Sequence, residues 1–269
     1  MLKKFYFSTK SFLASLLFPR ICVGCGADIR WICNDCLKTI EIIKQPFCPE
    51  CRRPTEVGEF CHPTGDHPQG DDFYCKNKFS LDGIFICANF GEGVLKEAIH
   101  QFKYNGISDI GGILGKLVSG KLASIKLENK SGIVPEFDIV IPVPLHKKRL
   151  RQRGFNQAEI LAKEIVKIHR GTLRFKAGAL NQHIAKNILV RKKFTVPQAE
   201  LDREERLNNL KDVFAVHNVG TRHALSLQDK NILLVDDVTT TGATLEECAR
   251  VLKQNGARSV WGIVLAKGK

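Results

Sequence analysis

A chain of 269 residues, 43% of them apolar, holds enough core-forming material for one large domain or two unequal ones. The 41 Lys and Arg outnumber the 28 Asp and Glu and leave a net charge of +13, which fits a basic surface or a polyanion partner, with zinc-bound thiolates able to cancel part of the surplus. Ten cysteines are present, and eight of them lie between residues 22 and 75; that clustering excludes a disulfide framework spanning the chain, and the paired C-x-x-C spacing argues for metal in a reducing, cytoplasmic compartment.

The first residues, "MLKKFYFSTKSFLASLLFP" (1–19), combine two lysines with an apolar patch, as a signal peptide does. The patch is short, however, Ser8, Thr9, Lys10 and Ser11 precede it, and Pro19 and Arg20 stand where a small-residue cleavage site belongs. The segment reads as an amphipathic lead-in helix. No other stretch approaches the roughly 20 apolar residues a membrane span requires. Residues 1–79 are therefore taken as a lead-in helix and a Cys-rich region, and 80–269 as an α/β domain.

"GIFICANF" (83–90) reads as the first strand, and "VLKEAIHQFKYNG" (94–106) as a helix with Leu95, Ile99 and Phe102 on one face. "GGILGKLVSGKLASIKL" (111–127) continues helically, and "FDIVIPVP" (137–144) is a buried strand ended by prolines. "NQAEILAKEIVKIH" (156–169) is an amphipathic helix with Asn156 as N-cap. Residues 172–200 are basic and less periodic. "DREERLNNL" (202–210) is expected to be helical and "DVFAV" (212–216) a short strand. "KNILLVDD" (230–237) is a strand, "GATLEECARVLKQNG" (242–256) a helix, and "SVWGIVLA" (259–266) a last strand. Strands alternating with helices predict a doubly wound, mostly parallel sheet.

In the Cys-rich region, Cys22-x-x-Cys25 and Cys33-x-x-Cys36 form one unit, and Cys48-x-x-Cys51 with Cys61 and Cys75 a second. Each C-x-x-C knuckle lets two thiolates meet one tetrahedral zinc, and Gly24 and Gly26 suit the first tight turn. The second unit lacks a final knuckle, and His62 or His67 is available there as a replacement ligand. Pairing of Cys22 and Cys25 with Cys48 and Cys51 stays open, as do reduced cysteines without metal. One or two structural zinc ions are expected, because the protein ligands suffice to close each site. Cys87, in a strand, and Cys248, in a helix, read as core residues.

"ILLVDDVTTTGAT" (232–244) places two carboxylates at the end of an apolar run and follows them with hydroxyls around a glycine. Ligands of parallel sheets sit beyond the carboxyl ends of strands. There Asp236 and Asp237 accept from hydroxyls, while loop amides, threonine hydroxyls and a helix N-terminus suit a phosphate, with Gly242 permitting close approach. Together they match a sugar phosphate, which carries a diol and a 5′-phosphate. Two capping carboxylates on an ordinary strand-to-helix turn would account for one Asp and one Thr only.

This string resembles the signature of type I phosphoribosyltransferases, which bind phosphoribosyl pyrophosphate (PRPP). The resemblance implies that Asp236 and Asp237 hold the ribose hydroxyls as the catalytic pair. It implies that Thr239, Thr240, Thr241, Gly242, Ala243 and Thr244 cradle the 5′-phosphate, and that Mg²⁺ is held mainly by ligand oxygens. "VIPVPLHKKRLRQRGFNQAEILA" (140–162) is similar to the segment that marks the competence-protein ComF family. "LDG" (81–83), "FKYNG" (102–106) and "RKKFTVPQAELDREERLNNLKDVF" (191–214) fit the same family. The departure is the second Cys unit, which lacks the family's frequent final C-x-x-C.

Lys147, Lys148, Arg149, Arg151 and Arg153 follow a strand end beside the predicted phosphate site, in a stretch read as a loop. A solvated charge run is the plain interpretation; phosphate binding by Arg149 and Arg153 is the sharper one. The type I resemblance adds Val143, Pro144, Leu145 and His146 as backbone contacts to pyrophosphate. Phe155 and Tyr104 are available to stack bases, or to pack in the core. Two functions follow as expectations. One is a cytoplasmic, PRPP-binding protein of natural transformation that handles incoming single-stranded DNA beside uptake-machinery proteins, as the ComF resemblance implies. The other is a Mg²⁺-dependent phosphoribosyltransferase acting on an unidentified acceptor; with no cysteine at position 2, a glutamine-hydrolysing amidotransferase is not expected.

Overall fold

The computed structural model describes residues 20–28, 30–43, 80–128, 136–169, 184–194, 210, 212–217 and 226–268. In chain order the elements are helix α1 (Asn34–Lys38), strand β1 (Gly83–Asn89), helices α2 (Val94–Tyr104) and α3 (Ile110–Glu128), strand β2 (Ile139–Pro142), helices α4 (Lys147–Arg153) and α5 (Gln157–Ile168), strands β3 (Leu189–Arg191), β4 (Phe214–Val216) and β5 (Asn231–Thr239), helix α6 (Ala243–Gln254) and strand β6 (Ser259–Lys267).

The main sheet has the order β1-β6-β5-β2 with every pair parallel. Its strands are apolar on both faces, as a sheet covered on both sides requires. Phe85, Cys87, Val140, Leu233, Val235, Ile263 and Leu265 face one core, while Ile84, Ile86, Ile139, Ile141, Ile232, Leu234 and Val264 face the other. The first core is closed by α2, α3 and α5. The second is closed by α6 and the antiparallel β3–β4 pair. Cys87 and Cys248 are buried, one in each core, as expected.

Helix α2 buries Leu95, Ala98, Ile99 and Phe102, the stripe its periodicity predicts. Helix α3 approaches α5 closely at two glycines. A Cβ on Gly111 would stand 2.5 Å from Ile160, and one on Gly115 would stand 2.5 Å from Glu164.

The first cysteine unit folds as a short hairpin followed by α1, and its two ends are tied to the α/β body. Ile32 and Ile40 join the first core. The Ile43 N–H donates to the Cys87 carbonyl at 2.8 Å, Ile42 bridges to Ala88, and the buried Lys121 Nζ donates to the Ile43 carbonyl at 2.6 Å. This segment covers part of the open edge of β1.

Three expectations need correction. The "KKRLRQR" stretch is a helix, α4, not a loop. The His146 imidazole caps its start, accepting from the Lys148 N–H at 3.2 Å, and Gly154 ends it with φ 79°. Strand β5 runs to Thr239, two residues beyond Asp237, so the acid pair lies inside the strand. Within 172–200, Ile184 bridges to Val140 and β3 forms. The lead-in helix, Cys48, Cys51, Cys61, Cys75, His62, His67 and all of the 202–210 helix except Leu210 lie outside the described residues. Among the described residues, no helix is long and apolar enough to cross a membrane.

Candidate functional site

The site follows from two strands of unequal length. Pro142, the last residue of β2, pairs with Val235, and the Val143 N–H reaches the Val235 carbonyl at 2.9 Å. Beyond that point β5 continues against β6 alone, pairing Val238 with Ala266 and Thr239 with Lys267. Asp236 and Asp237 therefore have no strand neighbour on the β2 side. Helix α5, which follows β2 and α4, packs on the first core, and α6, which follows β5, packs on the second. The chain thus departs to opposite faces at this point and leaves a crevice.

The crevice is a cleft of about 510 Å³. From the strand-to-helix string it takes Asp236, Asp237, Thr239, Thr240 and Thr244. From the segment after β2 it takes Val143, Pro144, Leu145, Arg149 and Arg153. Two motifs nearly a hundred residues apart thus share one cavity. His146, Thr241, Gly242 and Ala243 are not in its lining. Two amides of the loop are engaged internally: the Gly242 N–H donates to Thr239 Oγ at 3.1 Å, and the Ala243 N–H to Thr241 Oγ at 3.3 Å.

Because consecutive strand residues alternate, the two carboxylates diverge. Asp237 is buried and pairs with Lys103 Nζ of α2 at 3.1 Å, the two side chains being 11% and 18% exposed. Asp236 is half-buried. Burial pushes its carboxyl up to about 7, the Asp237 charge adds to the shift, and Lys103 and Arg191 pull against it.

On the opposite wall, Arg153 donates to the Gln157 side chain at 3.1 Å, and Gln157 in turn donates to the Phe102 carbonyl at 3.1 Å, so a buried amide fixes the guanidinium. Asn156 caps α5 by accepting from the Ala158 N–H, and its own amide donates to the Val143 carbonyl at 3.0 Å. Burial, then the neighbouring Arg153, lowers the Arg149 pKa, and burial and Arg149 lower that of Arg191; both remain cations. Burial and four nearby cations hold His146 below its ordinary value, hence uncharged at neutral pH. Carboxylates on one side of a cleft and guanidiniums on the other suit a ligand with hydroxyls at one end and phosphates at the other.

Lys103 and Gln157 were not among the expected site residues. Lys103 meets its partner across 134 residues of sequence, and no local pattern announces that contact. Phe155 packs on Phe102 with ring centroids 5.4 Å apart and against the first core, so of its two readings the structure supports core packing over base stacking.

In the segment that borders β1, the sulfurs of Cys22, Cys25, Cys33 and Cys36 all lie within 4.8 Å of one another. Cys25 and Cys33 are 3.7 Å apart, close to the roughly 3.8 Å that a tetrahedral zinc with 2.3 Å bonds imposes on its sulfurs. The Cys33 N–H donates to Cys22 Sγ at 3.2 Å and the Cys36 N–H to Cys33 Sγ at 3.4 Å; against the opposing effect of burial, such backbone bonds lower the Cys22 pKa to about 6, which favours its thiolate. Four soft donors at this spacing fit one structural zinc.

Residues 13–64 match the double zinc ribbon domain and residues 156–269 the phosphoribosyl transferase domain. Competence protein F of Haemophilus influenzae is 28% identical over 87% of this chain and 96% of its own length. Competence protein ComFC of Bacillus subtilis is 25% identical over 92% and 95%. A hypoxanthine phosphoribosyltransferase structure from Staphylococcus aureus overlaps 62% of this chain and 69% of its own at 12% identity and a TM-score of 0.27, too low to bear on function. The DNA utilization protein YhgH of Escherichia coli O6:H1 is 32% identical over 91% of this chain and 96% of its own length. With a zinc ribbon, a phosphoribosyltransferase-like domain and relatives aligned over nearly their whole length, the chain belongs to the ComF family.

Proposed function

We propose that the cleft binds PRPP with Mg²⁺, and that the protein serves natural transformation by handling incoming single-stranded DNA in the cytoplasm. The observation that carries the first part is the meeting of the acid–threonine string and the basic segment in one cavity at a strand-end crevice. Asp236 and Asp237 take the ribose hydroxyls. Thr239, Thr240 and Thr244 meet the 5′-phosphate together with Thr241, the Gly242 and Ala243 amides turning to it from their internal hydrogen bonds. Arg149 and Arg153, with the chain at Val143 to His146, take the pyrophosphate. Mg²⁺ suits this donor set as a passenger on ligand oxygens, since among the described residues Asp236 and Asp237 are the only carboxylates lining the cleft. The second part is supported by the names of the relatives, which speak of competence and DNA utilization, and by the +13 charge. Fluorescence anisotropy with a labelled single strand at low salt tests it; absence of binding refutes it.

The match to a phosphoribosyl transferase domain supports a second reading, in which ribose 5-phosphate passes to an acceptor and pyrophosphate leaves. In that case Asp236 and Asp237 stabilise positive charge on the sugar, and Arg149 and Arg153 the departing phosphates. Pyrophosphate release in the presence of PRPP, Mg²⁺ and a panel of bases and amines supports this reading; its absence leaves the binding role.

A further inference from the structure

We propose that the single strand lies along the rim of the cleft, over α4 and the end of β3, with a base stacked on Phe194 and phosphates on Lys192, Lys193 and the exposed cations of α4. The proposal rests on the DNA reading above and assigns it a surface other than the ribbon.

Charge is the first ground. The segments "HKKRLRQR" (146–153) and "LVRKKF" (189–194) hold eight Lys and Arg and no Asp or Glu. The described part of the ribbon, residues 20–43, holds three cations (Arg20, Arg30, Lys38) and three carboxylates (Asp28, Asp35, Glu41). Counterion release therefore favours the cleft rim over the ribbon.

Exposed aromatic rings are the second ground. Among the described residues, the exposed large aromatic side chains are Tyr104, 65% exposed, and Phe194, 49% exposed; both line this cleft. Lys148 Nζ lies 5.1 Å and the Arg149 guanidinium 5.7 Å from the Phe194 ring centre, with the His146 ring at 5.2 Å. Arg153 lies 5.6 Å from the Tyr104 ring centre. An apolar ring held at the surface among cations offers a π-face beside phosphate ligands, the combination that single strands use. A duplex keeps its base faces stacked inside and has nothing to offer Phe194. Arg149 lies beside Phe194 and lines the cleft, so it stands between the strand and the pyrophosphate.

The test is anisotropy titration of the full-length protein with a fluorescein-labelled oligothymidine and with a duplex of equal length, over a salt series. Phe194→Ala weakens single-strand binding about tenfold, within the range for loss of one stacked base, and Phe194→Tyr retains it. Lys192→Ala with Lys193→Ala flattens the slope of log affinity against log salt by about 1.4, two phosphate contacts at roughly 0.7 each. Phe194→Trp gives fluorescence quenched by the oligonucleotide beyond that of the wild type, and Arg30→Ala with Lys38→Ala in the ribbon leaves affinity within twofold. Thermal melts verify that each variant is folded. Wild-type binding that is unchanged in the Phe194 and lysine variants, lost in the ribbon variant, or equal for duplex overturns this surface while leaving the DNA reading intact. No wild-type binding to either probe overturns both.

Discussion

Protonation of Asp236 gives the proposed sugar site a pH signature. Its carboxyl sits at about 7 because burial and the Asp237 charge both favour the proton, more than Lys103 and Arg191 favour its loss. A hydroxyl-binding acceptor works best ionised. With a midpoint near 7 the ionised fraction falls about tenfold from pH 8 to pH 6, so PRPP affinity falls by a similar factor, or about 1.4 kcal/mol. The ligand's own phosphates titrate near pH 6, so the informative quantity is the difference from Asp236→Asn, in which the protein's share of the slope is gone. Stability runs the opposite way. A folded-state value above the unfolded carboxylate value of about 4 means that the protonated group favours the fold; that contribution is complete below about pH 4 and is lost as pH rises through about 7. The ligand-free melting temperature of the wild type therefore falls from pH 6 to pH 8 relative to that of Asp236→Asn. Isothermal titration calorimetry and differential scanning calorimetry read the two effects. Equal pH slopes in wild type and Asp236→Asn, for binding and for melting, refute the reasoning.

Lys103→Met leaves Asp237 beside Asp236 without its cation. Because the pair is partly exposed, the expected loss is about 2 kcal/mol, below the roughly 3–5 for breaking a fully buried pair. The midpoint of the binding profile moves to higher pH, and Lys103→Arg restores both; an unmoved profile removes Lys103 from the site. Cys25→Ser lowers zinc content by one ion per chain, read by atomic emission, and lowers the melting temperature because the ribbon joins the first core through Ile32 and Ile40; an unchanged zinc content contradicts the four-cysteine site.

Much of the fold was legible because β1, β5 and β6 are long apolar runs and because α2, α5 and α6 carry clean stripes. Helix α4 was not, because Leu150 is its lone apolar residue and gives no periodicity; its two end signals, the His146 cap and Gly154, are ones that sequence reading weights weakly. Strand β4 lies within the strand expected at 212–216, whereas β3, three residues in a basic stretch, exists by pairing with β4 and covering the second core, which no local propensity reports. Within the site, the acid pair and the basic segment were legible as motifs. Their meeting is a matter of register: β2 stops opposite Val235 while β5 runs on to Thr239. Phe194 lacked any signal of its own, whereas Phe155 drew notice and went to the core against Phe102.

PRPP is expected to occupy the crevice between the ends of β2 and β5. Calorimetric titration of PRPP with Mg²⁺ into wild type and into the folded Asp236→Asn, Asp237→Asn variant measures this directly. One bound PRPP per wild-type chain and no detectable heat of binding in the variant is the predicted result. Equal affinity in the two proteins, or no binding to the wild type, contradicts it.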